Sequence, residues 1–245
     1  MNYKLYRMSD RKDLRSELKE LNSVSWPEFF KHGDTPHWYN LFEELDSFQL
    51  MLCDSDTDKL IGAGFTVPVN WDKSVDSLPK TIDDIILNGI RSLKNKNLKT
   101  LVAIGVIVSD EARGKHLSSK ILSDMKQLAF SESLPNLIVP VRPTWKEKYP
   151  LQRIDEYAKW KRADGLFFDP WLRVHQRLGA EIIKVTDCTL TVKGSVAEWE
   201  SWTGMLFPFT GSYIVPGALV PITIDVKNNS GIYKDPNIWM QHPVK

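Results

Sequence analysis

The apolar positions of this chain switch repeatedly between the spacing of strands and the spacing of helices. Thr100–Val108 and 137–141 are short, continuous apolar runs of the kind that forms buried strands. Between them, apolar side chains recur every three or four positions and predict a helix of about 15 residues that begins near Leu117. Strands and helices alternate in this way along the whole chain, which favours one α/β domain.

The N-terminal part shows the same two periods. Its predicted elements are a strand at 3–8, a helix at 11–21, strands at 48–53 and 60–69 around a polar turn, and a helix at 81–94. Ser9 or Asp10 is expected to cap the first helix, and Thr81 the second. The aromatic segment 26–45 is expected to be helical only in part, because Pro27 and Pro36 interrupt it.

The C-terminal part begins with a polar, aromatic insertion at 142–168. The elements predicted after it are a short helix at 169–179, a long strand at 180–192, and two strands around 217–226 and 231–240. Asp169 is expected to cap the short helix, and Gly179 to end it. The aromatic residues in or near this insertion leave two possibilities open, an acceptor pocket or a small core. These residues are Trp145, Tyr149, Tyr157, Trp160 and Trp171.

Composition narrows the possible classes of protein. With 42% hydrophobic residues the chain can bury a core, and a net charge of +1 supplies no field to attract nucleic acid or an anionic membrane. The longest apolar run, 101–108, is far too short to span a bilayer. We therefore expect a cytoplasmic protein that binds neither nucleic acid nor membrane. Cys53 and Cys188 match no metal-ligand spacing, and no metal site is expected.

The segment 106–122, VIVSDEARGKHLSSKIL, leads from a buried strand through a polar turn into a helix. Such a connection points backbone N–H groups and the positive end of the helix dipole at one place, which suits a pyrophosphate. Gly114 allows a close approach of the backbone, while Arg113 and Lys115 can add charge. The turn has neither the P-loop nor the Rossmann pattern. An ordinary connection with solvated basic residues is the alternative.

The same segment resembles motif A of the GNAT superfamily of acyl-CoA-dependent acyltransferases, with its R-x-x-G-x-[GA] turn after a central strand. Arg113 matches the first position, and His116 and Ser118 stand where the two small residues usually lie. The ring of His116 would either crowd the pyrophosphate or contact it. The sequence 174–180, VHQRLGA, is similar to the family's aromatic-Tyr-x-x-Leu-Gly helix end, with a histidine in place of the tyrosine.

The resemblance covers about 3–192 and implies the fold. We expect an α/β GNAT fold in which helices flank a central, mixed and splayed sheet. The expected organisation is a single domain over 1–245, with insertions at about 69–97 and 142–168 and a C-terminal strand extension at about 193–245.

The resemblance also implies acetyl-CoA or another acyl-CoA as co-substrate, without a metal. The implied CoA-binding residues are Val106, Ile107, Val108, Arg113, Gly114, Lys115, His116, Leu117 and Ser118. Backbone groups of Val106 and Val108 would pair with the pantetheine arm. The implied catalytic residues are His175, as proton donor to the departing thiolate, and Thr144, which could hydrogen-bond the substrate. A core histidine and a loop cap are the structural alternatives.

The implied function is direct transfer of an acyl group to an amine, a small molecule or a carrier-bound acceptor. Thr144 together with His175 also resembles, more weakly, the GNAT-like loading domains of polyketide synthases, which decarboxylate malonyl-CoA. A binding module that holds acyl-CoA without catalysis is the third possibility. The sequence predicts neither the acceptor nor the oligomeric state.

Overall fold

A computed structural model describes residues 2–244 as one nine-stranded sheet with helices on both faces. The strands are β1 Tyr3–Arg7, β2 Leu50–Asp54, β3 Leu60–Val69, β4 Thr100–Val108, β5 Asn136–Val141, β6 Glu181–Gly194, β7 Gly211–Tyr213, β8 Ile222–Asp225 and β9 Ser230–Pro243. The α-helices are α1 Arg15–Val24, α2 Ile82–Lys94, α3 Leu117–Ser131, α4 Ile154–Tyr157, α5 Pro170–Arg177 and α6 Val196–Thr203.

The strand order is β1-β2-β3-β4-β5-β9-β8-β7, and β6 also pairs with β9. Within residues 2–244, β4 and β5 are the one parallel pair of neighbours. Their ladder covers only Thr100–Val102 and Asn136–Ile138, although both strands continue beyond it. The sheet is therefore mixed and splayed, as the sequence predicts.

Helices pack on both faces of the sheet because each presents one apolar face. α1 and α2 cover one core, and α3 and α5 cover the other. α3 approaches β3 very closely, since a Cβ on Gly64 would lie 2.7 Å from the Cγ2 atom of Ile121. This contact explains the two glycines of the Gly62–Gly64 stretch as the close backbone approach that such residues favour in strands.

The C-terminal segment is more than an addition to the edge of the sheet. β9 lies between β5 and β6, and pairs its last six residues with Asn136–Val141. With β7, β8 and α6 it encloses a third core around Trp199 and Tyr233. Neither α6 nor β7 was predicted. α6 begins at a capping box formed by Ser195 and Glu198, a signal that the sequence does contain.

The start of α1 differs from the prediction. Two 3-10 turns occupy Met8–Asp10 and Lys12–Leu14, so the α-helix begins only at Arg15 and has no side-chain cap. The predicted cap at Ser9 or Asp10 is wrong, because burial of Met8 and Leu14 holds this stretch in tight turns against the sheet. The predicted cap at Thr81 is confirmed as a capping box with Asp84.

The aromatic segment 26–45 forms 3-10 helices at Glu28–His32 and Trp38–Phe42. This agrees with the partly helical structure expected between its prolines. Among residues 2–244, no helix has the length and apolar character needed to cross a membrane. No group of histidine, cysteine, aspartate or glutamate side chains in that range is arranged to hold a metal ion.

Candidate active site

The candidate site lies where β4 and β5 separate. One extra residue, Ile104, bulges from β4 opposite the Phe65–Thr66 step of β3, which bends β4 just beyond its last contact with β5. From there on, the β4 edge that faces β5 makes no strand pairing in the described chain. A cavity of about 640 Å³ fills the opening. Its wall therefore includes backbone groups that can pair with an extended ligand.

Nearly all of the predicted CoA-binding residues line this cavity. They are Val106, Ile107, Val108, Arg113, Gly114, His116, Leu117 and Ser118. Lys115 lies on the same exposed turn but outside the cavity wall. The side chain of Ile107 packs into the core beneath α1 and α2, so Ile107 meets the cavity through its backbone. The predicted residues therefore lie together on one cavity wall, but the sequence does not separate backbone from side-chain contributions.

The turn between β4 and α3 has two residues in the left-handed region. Gly114 has φ +77°, and His116, the N-cap residue of α3, has φ 59°. His116 makes no side-chain capping bond, and its ring is exposed. The first N–H groups of α3 are therefore left without a side-chain cap at the mouth of the cavity. A Cβ on Gly114 would meet no atom within 4 Å, so the turn is open at this point.

His175 from α5 also forms part of the cavity wall. It is completely buried, with its Nδ1 atom 2.8 Å from Nε2 of His242 on β9. Trp171 packs edge-on against the His175 ring at 4.6 Å. Burial, with a smaller contribution from His242, lowers the pKa of His175 well below its usual value of 6.5. His175 is therefore neutral at physiological pH, which makes it a hydrogen-bond donor or acceptor and a poor source of an imidazolium proton.

Asp169 joins the loop that carries Thr144 to the helix that carries His175. Its Oδ1 atom accepts hydrogen bonds from the first N–H groups of α5, which confirms the predicted cap. Its Oδ2 atom accepts from the Trp145 N–H at 2.7 Å and from the Tyr157 hydroxyl at 2.9 Å. Thr144, which is exposed, thereby lies on the same cavity wall as His175. The contacts of Asp169 Oδ2 with Trp145 and Tyr157 are tertiary, and no local sequence pattern predicts them.

A second cavity, of about 610 Å³, opens on the other side of the gap. Four residues line both cavities, which therefore meet at the separation of β4 from β5: Trp26, Ile104, Pro140 and Arg142. Rings from the 26–45 segment form much of the second wall, namely Trp26, Phe30, Trp38, Tyr39 and Phe42. The density of aromatic residues before Leu45 is the one sequence feature that indicates this wall. It does not predict where in the fold the wall lies.

The polar end of the second cavity is a buried network. Arg142 donates to Asp235 at 3.0 Å and lies 5.0 Å from the Phe30 ring, which itself stacks on Trp26. Asp235 also accepts hydrogen bonds from Tyr233 and Asn237. These three partners compensate the negative charge of Asp235, which is buried. The sequence did not predict this network of Arg142, Tyr233, Asp235 and Asn237. These residues come together only when β9 pairs beside β5.

The insertion aromatics divide between the two possibilities left open by the sequence. Tyr149, Tyr157 and Trp160 pack with Phe168 as a cluster of edge-on and tilted rings, with centroids 5.0 to 6.4 Å apart. They form a small core that supports the 142–168 loop. Trp171 instead lines the first cavity beside His175.

Comparisons with known proteins agree with this architecture. No family model matches the sequence. Arginine N-acetyltransferase avaD from Aspergillus versicolor is 28% identical over 254 residues, covering 91% of this chain and 86% of the relative. The loading GNATL domain of CurA from Lyngbya majuscula has the same fold, with a TM-score of 0.64 and 19% identity over 100% of this chain and 98% of that one. The chain therefore has the GNAT fold and is similar in sequence to an N-acetyltransferase.

A further GNAT structure with the same fold is the GphF GNAT-like decarboxylase in complex with isobutyryl-CoA. Its TM-score is 0.60 at 14% identity, and the match covers 100% of both chains. The GNAT fold predicted from 106–122 and 174–180 is thereby confirmed. In this GNAT fold, the strand gap, the left-handed turn and His175 line one cavity, and the aromatic segment 26–45 forms much of the wall of the other.

Proposed function

We propose that this GNAT protein transfers an acyl group from acyl-CoA to an amine. The observation that carries the proposal is the pair of cavities that meet where β4 separates from β5. Two reactants entering from opposite sides would be brought together at that point, which converts a bimolecular reaction into one between oriented groups. The curated relative named as an arginine N-acetyltransferase supports an amine as acceptor.

The first cavity suits acyl-CoA. The open turn at Gly114 and the uncapped start of α3 offer backbone N–H groups to a pyrophosphate, with Arg113 and His116 beside them. The unpaired edge of β4 offers hydrogen bonds to the amide groups of a pantetheine arm. Lys115 adds positive charge at the exposed side of the turn.

The second cavity suits the acceptor. Its aromatic walls favour a flat, apolar body, and the oxygen acceptors of Asn237 and Asp235 at its polar end favour a group with hydrogen-bonding N–H. A free small molecule fits such an enclosed space better than a bulky carrier protein, whose attached group would need a long arm. The acceptor we propose is a small amine with an aromatic or similarly flat substituent.

In the proposed reaction the amine nitrogen attacks the thioester carbonyl. A C–N bond forms, the C–S bond breaks, and the thiolate leaves with the electron pair and receives the proton that the amine gives up. We assign to His175, which is neutral and lines the first cavity, the role of donating a hydrogen bond to the developing negative charge. Thr144, on the same wall, hydrogen-bonds the substrate.

A three-part assay tests the function. Purified protein is incubated with acetyl-CoA and either tryptamine or hexylamine, while thiol release and acetylated product are measured by absorbance and mass spectrometry. We expect acetylation, with tryptamine preferred. Malonyl-CoA without amine forms the third part, in which loss of carbon dioxide would indicate the decarboxylating alternative. Thermal stabilisation by acetyl-CoA without any turnover would indicate a binding module.

The acceptor position is tested by a matched pair of variants. Trp38→Leu removes a ring from the second cavity, whereas Trp202→Leu removes one from the C-terminal core outside both cavities. We expect the first to raise the KM for tryptamine about tenfold and to leave the KM for acetyl-CoA unchanged. An equal loss for both substrates in Trp38→Leu would contradict this placement.

We also propose that the chain folds as a single domain, because one continuous sheet contacts all three cores. A single calorimetric transition whose van't Hoff and calorimetric enthalpies agree would support this. Separate transitions for the C-terminal core would oppose it. Cys53 and Cys188 are free thiols, which supports the cytoplasmic location that we propose.

A further inference from the structure

Asn237 of β9 presents an unused hydrogen-bond acceptor to the second cavity. The residue lines that cavity and is only 3% exposed. Its Nδ2 group donates to Oδ2 of Asp235 at 2.9 Å and to the Pro236 carbonyl at 2.6 Å. Within residues 2–244 no donor reaches its Oδ1 atom, yet that atom is not sealed off inside the protein. A buried acceptor that faces open space in this way is available to a ligand.

The orientation of the Asn237 amide follows from its two neighbours. The Asp235 carboxylate, which faces the Arg142 guanidinium, and the Pro236 carbonyl can each only accept hydrogen bonds. If the amide were turned over, its Oδ1 atom would face two acceptors, and its N–H groups would lose both partners. Nδ2 therefore faces Asp235 and Pro236, and Oδ1 faces the cavity.

The partners of Asp235 hold the Asn237 amide in place from behind. Arg142 donates from Nε to Oδ1 of Asp235 at 3.0 Å and from Nη2 to the Gly217 carbonyl at 2.6 Å. The Tyr233 hydroxyl donates to the same Asp235 oxygen. Both oxygens of Asp235 thus accept hydrogen bonds from the protein, whereas Oδ1 of Asn237 accepts none. Asp235 fixes the amide, and Arg142 fixes Asp235.

The amide lies close to the place where the two cavities meet. Arg142 lines both cavities, and the adjacent pair across the ladder is Val141 with Ile238. Asn237 and Arg142 are the next residues on their two chain segments, and Asp235 connects them by hydrogen bonds. An N–H group bound at Asn237 would therefore be held beside the gap between β4 and β5.

The other carboxylate and amide groups of the second cavity already accept hydrogen bonds from the protein. Besides the aspartate of this network, they are Glu43 and Asn22. Glu43 accepts from Arg15 at 3.0 Å, and Oδ1 of Asn22 accepts from the ring N–H of Trp26 at 3.1 Å. Among residues 2–244, Asn237 is the exception on this wall.

We propose that Asn237 is a catalytic residue whose Oδ1 atom accepts a hydrogen bond from the N–H of the reacting amine, with Asp235 and Arg142 as its positioning residues. This inference rests on the proposed acyl transfer. A nitrogen held by its N–H keeps its lone pair free to attack the thioester. Because the nitrogen becomes positively charged as the C–N bond forms, its hydrogen bond to Oδ1 strengthens in the transition state. Asn237 takes up no proton.

Binding without turnover tests the hydrogen bond. Tryptamine and 3-ethylindole, which lacks the amine, are titrated calorimetrically into the protein in the presence of CoA. We expect Asn237→Leu to weaken tryptamine binding about tenfold and to leave 3-ethylindole binding unchanged. The control Asn228→Leu replaces an asparagine that is bonded to Asp225 outside both cavities, and it should change neither affinity.

Three outcomes of this titration overturn the proposal. The first is an equal tryptamine affinity in Asn237→Leu and the original protein, which would mean that Oδ1 accepts nothing from the amine. The second is an equal loss for tryptamine and 3-ethylindole, which would indicate altered packing. The third is no binding of tryptamine to the original protein at millimolar concentration.

Asp235→Asn tests the positioning role, and also replaces Asn237→Leu if the leucine variant does not fold. It presents an N–H to Asn237 in place of an oxygen, so the Asn237 amide can turn its own N–H to the cavity. We expect weaker binding of tryptamine and tighter binding of indole-3-acetone, whose carbonyl only accepts. Loss of negative charge alone would weaken tryptamine without the second effect. That result, or unchanged affinities, overturns the positioning role.

Kinetics connect the site to the reaction. Asn237→Leu should lower kcat/KM for tryptamine at least about tenfold and leave the KM for acetyl-CoA unchanged. Losses for both substrates that follow the melting temperature of the same preparation overturn the catalytic role. If tryptamine binds through Asn237 but is not acetylated, the proposed acyl transfer fails and the amine site stands. If the leucine variant acetylates tryptamine as well as the original protein does, this inference alone fails.

Discussion

The turn at 113–118 and the His175–His242 pair line or support the same cavity, but they present different parts of the chain to it. The turn is exposed, contains two left-handed residues and leads into the uncapped N–H groups at the start of α3. The histidine pair is completely buried and contributes side-chain nitrogens whose protons depend on each other. The turn should therefore be sensitive to backbone conformation, and the pair to side-chain chemistry.

The largest expected effect lies in the pair. His175→Ala should lower turnover about a hundredfold or more, because it removes the hydrogen bond to the developing charge, with little change in CoA affinity. Steady-state kinetics and CoA titration on one preparation measure this. A structural histidine would show the reverse pattern, a lower melting temperature with turnover per folded molecule preserved.

The next effect lies in the turn. Gly114→Val should lower CoA affinity strongly, because a β-branched residue at φ +77° is strained even though the space is open. Lys115→Ala should cause a modest loss that diminishes with salt, since it changes one exposed charge. Calorimetric titration with CoA at two salt concentrations measures the affinities of the two variants. Equal losses would mean that side-chain charge, not the backbone, holds the ligand.

The free energy of unfolding should depend on pH through His242 of the buried histidine pair. The unfolded state gains histidine protons below about pH 6.5, but the folded state keeps His242 neutral until about pH 4. Stability should therefore be constant with respect to this group above pH 6.5 and fall by about 2 kcal/mol between pH 6.5 and 5. Urea unfolding at both values measures the difference. The decrease in the free energy of unfolding should be smaller in His242→Gln. It should be unchanged in the control His32→Gln, which replaces an exposed histidine outside both cavities.

The smallest effect concerns His116. Glycine adopts the left-handed conformation at φ 59° more readily than histidine does, so His116→Gly should stabilise the fold by less than about 1 kcal/mol. If the exposed ring contacts the pyrophosphate, CoA affinity should fall in this variant. Unchanged affinity would show that backbone groups alone bind the ligand at this turn.

Much of the fold follows from local sequence. The boundaries of β4 and α3 and the caps at Thr81 and Asp169 agree with the predictions, because apolar periodicity and capping bonds involve residues close together in the chain. The start of α1 does not agree, since burial of Met8 and Leu14 outweighs the local capping signal.

The sequence by itself determined the strand, turn and helix that follow one another from Thr100 to Ser131, since neighbouring residues place their own backbone groups, and the resemblance of 106–122 and 174–180 to known motifs indicated the GNAT fold. Only the tertiary structure decided the partner of His175, the charge state of that histidine and the second cavity. His242 is 67 positions away along the chain, and Asp235 is 93 positions from Arg142. Such contacts arise when β9 pairs beside β5, and burial then sets their protonation, which no local pattern encodes.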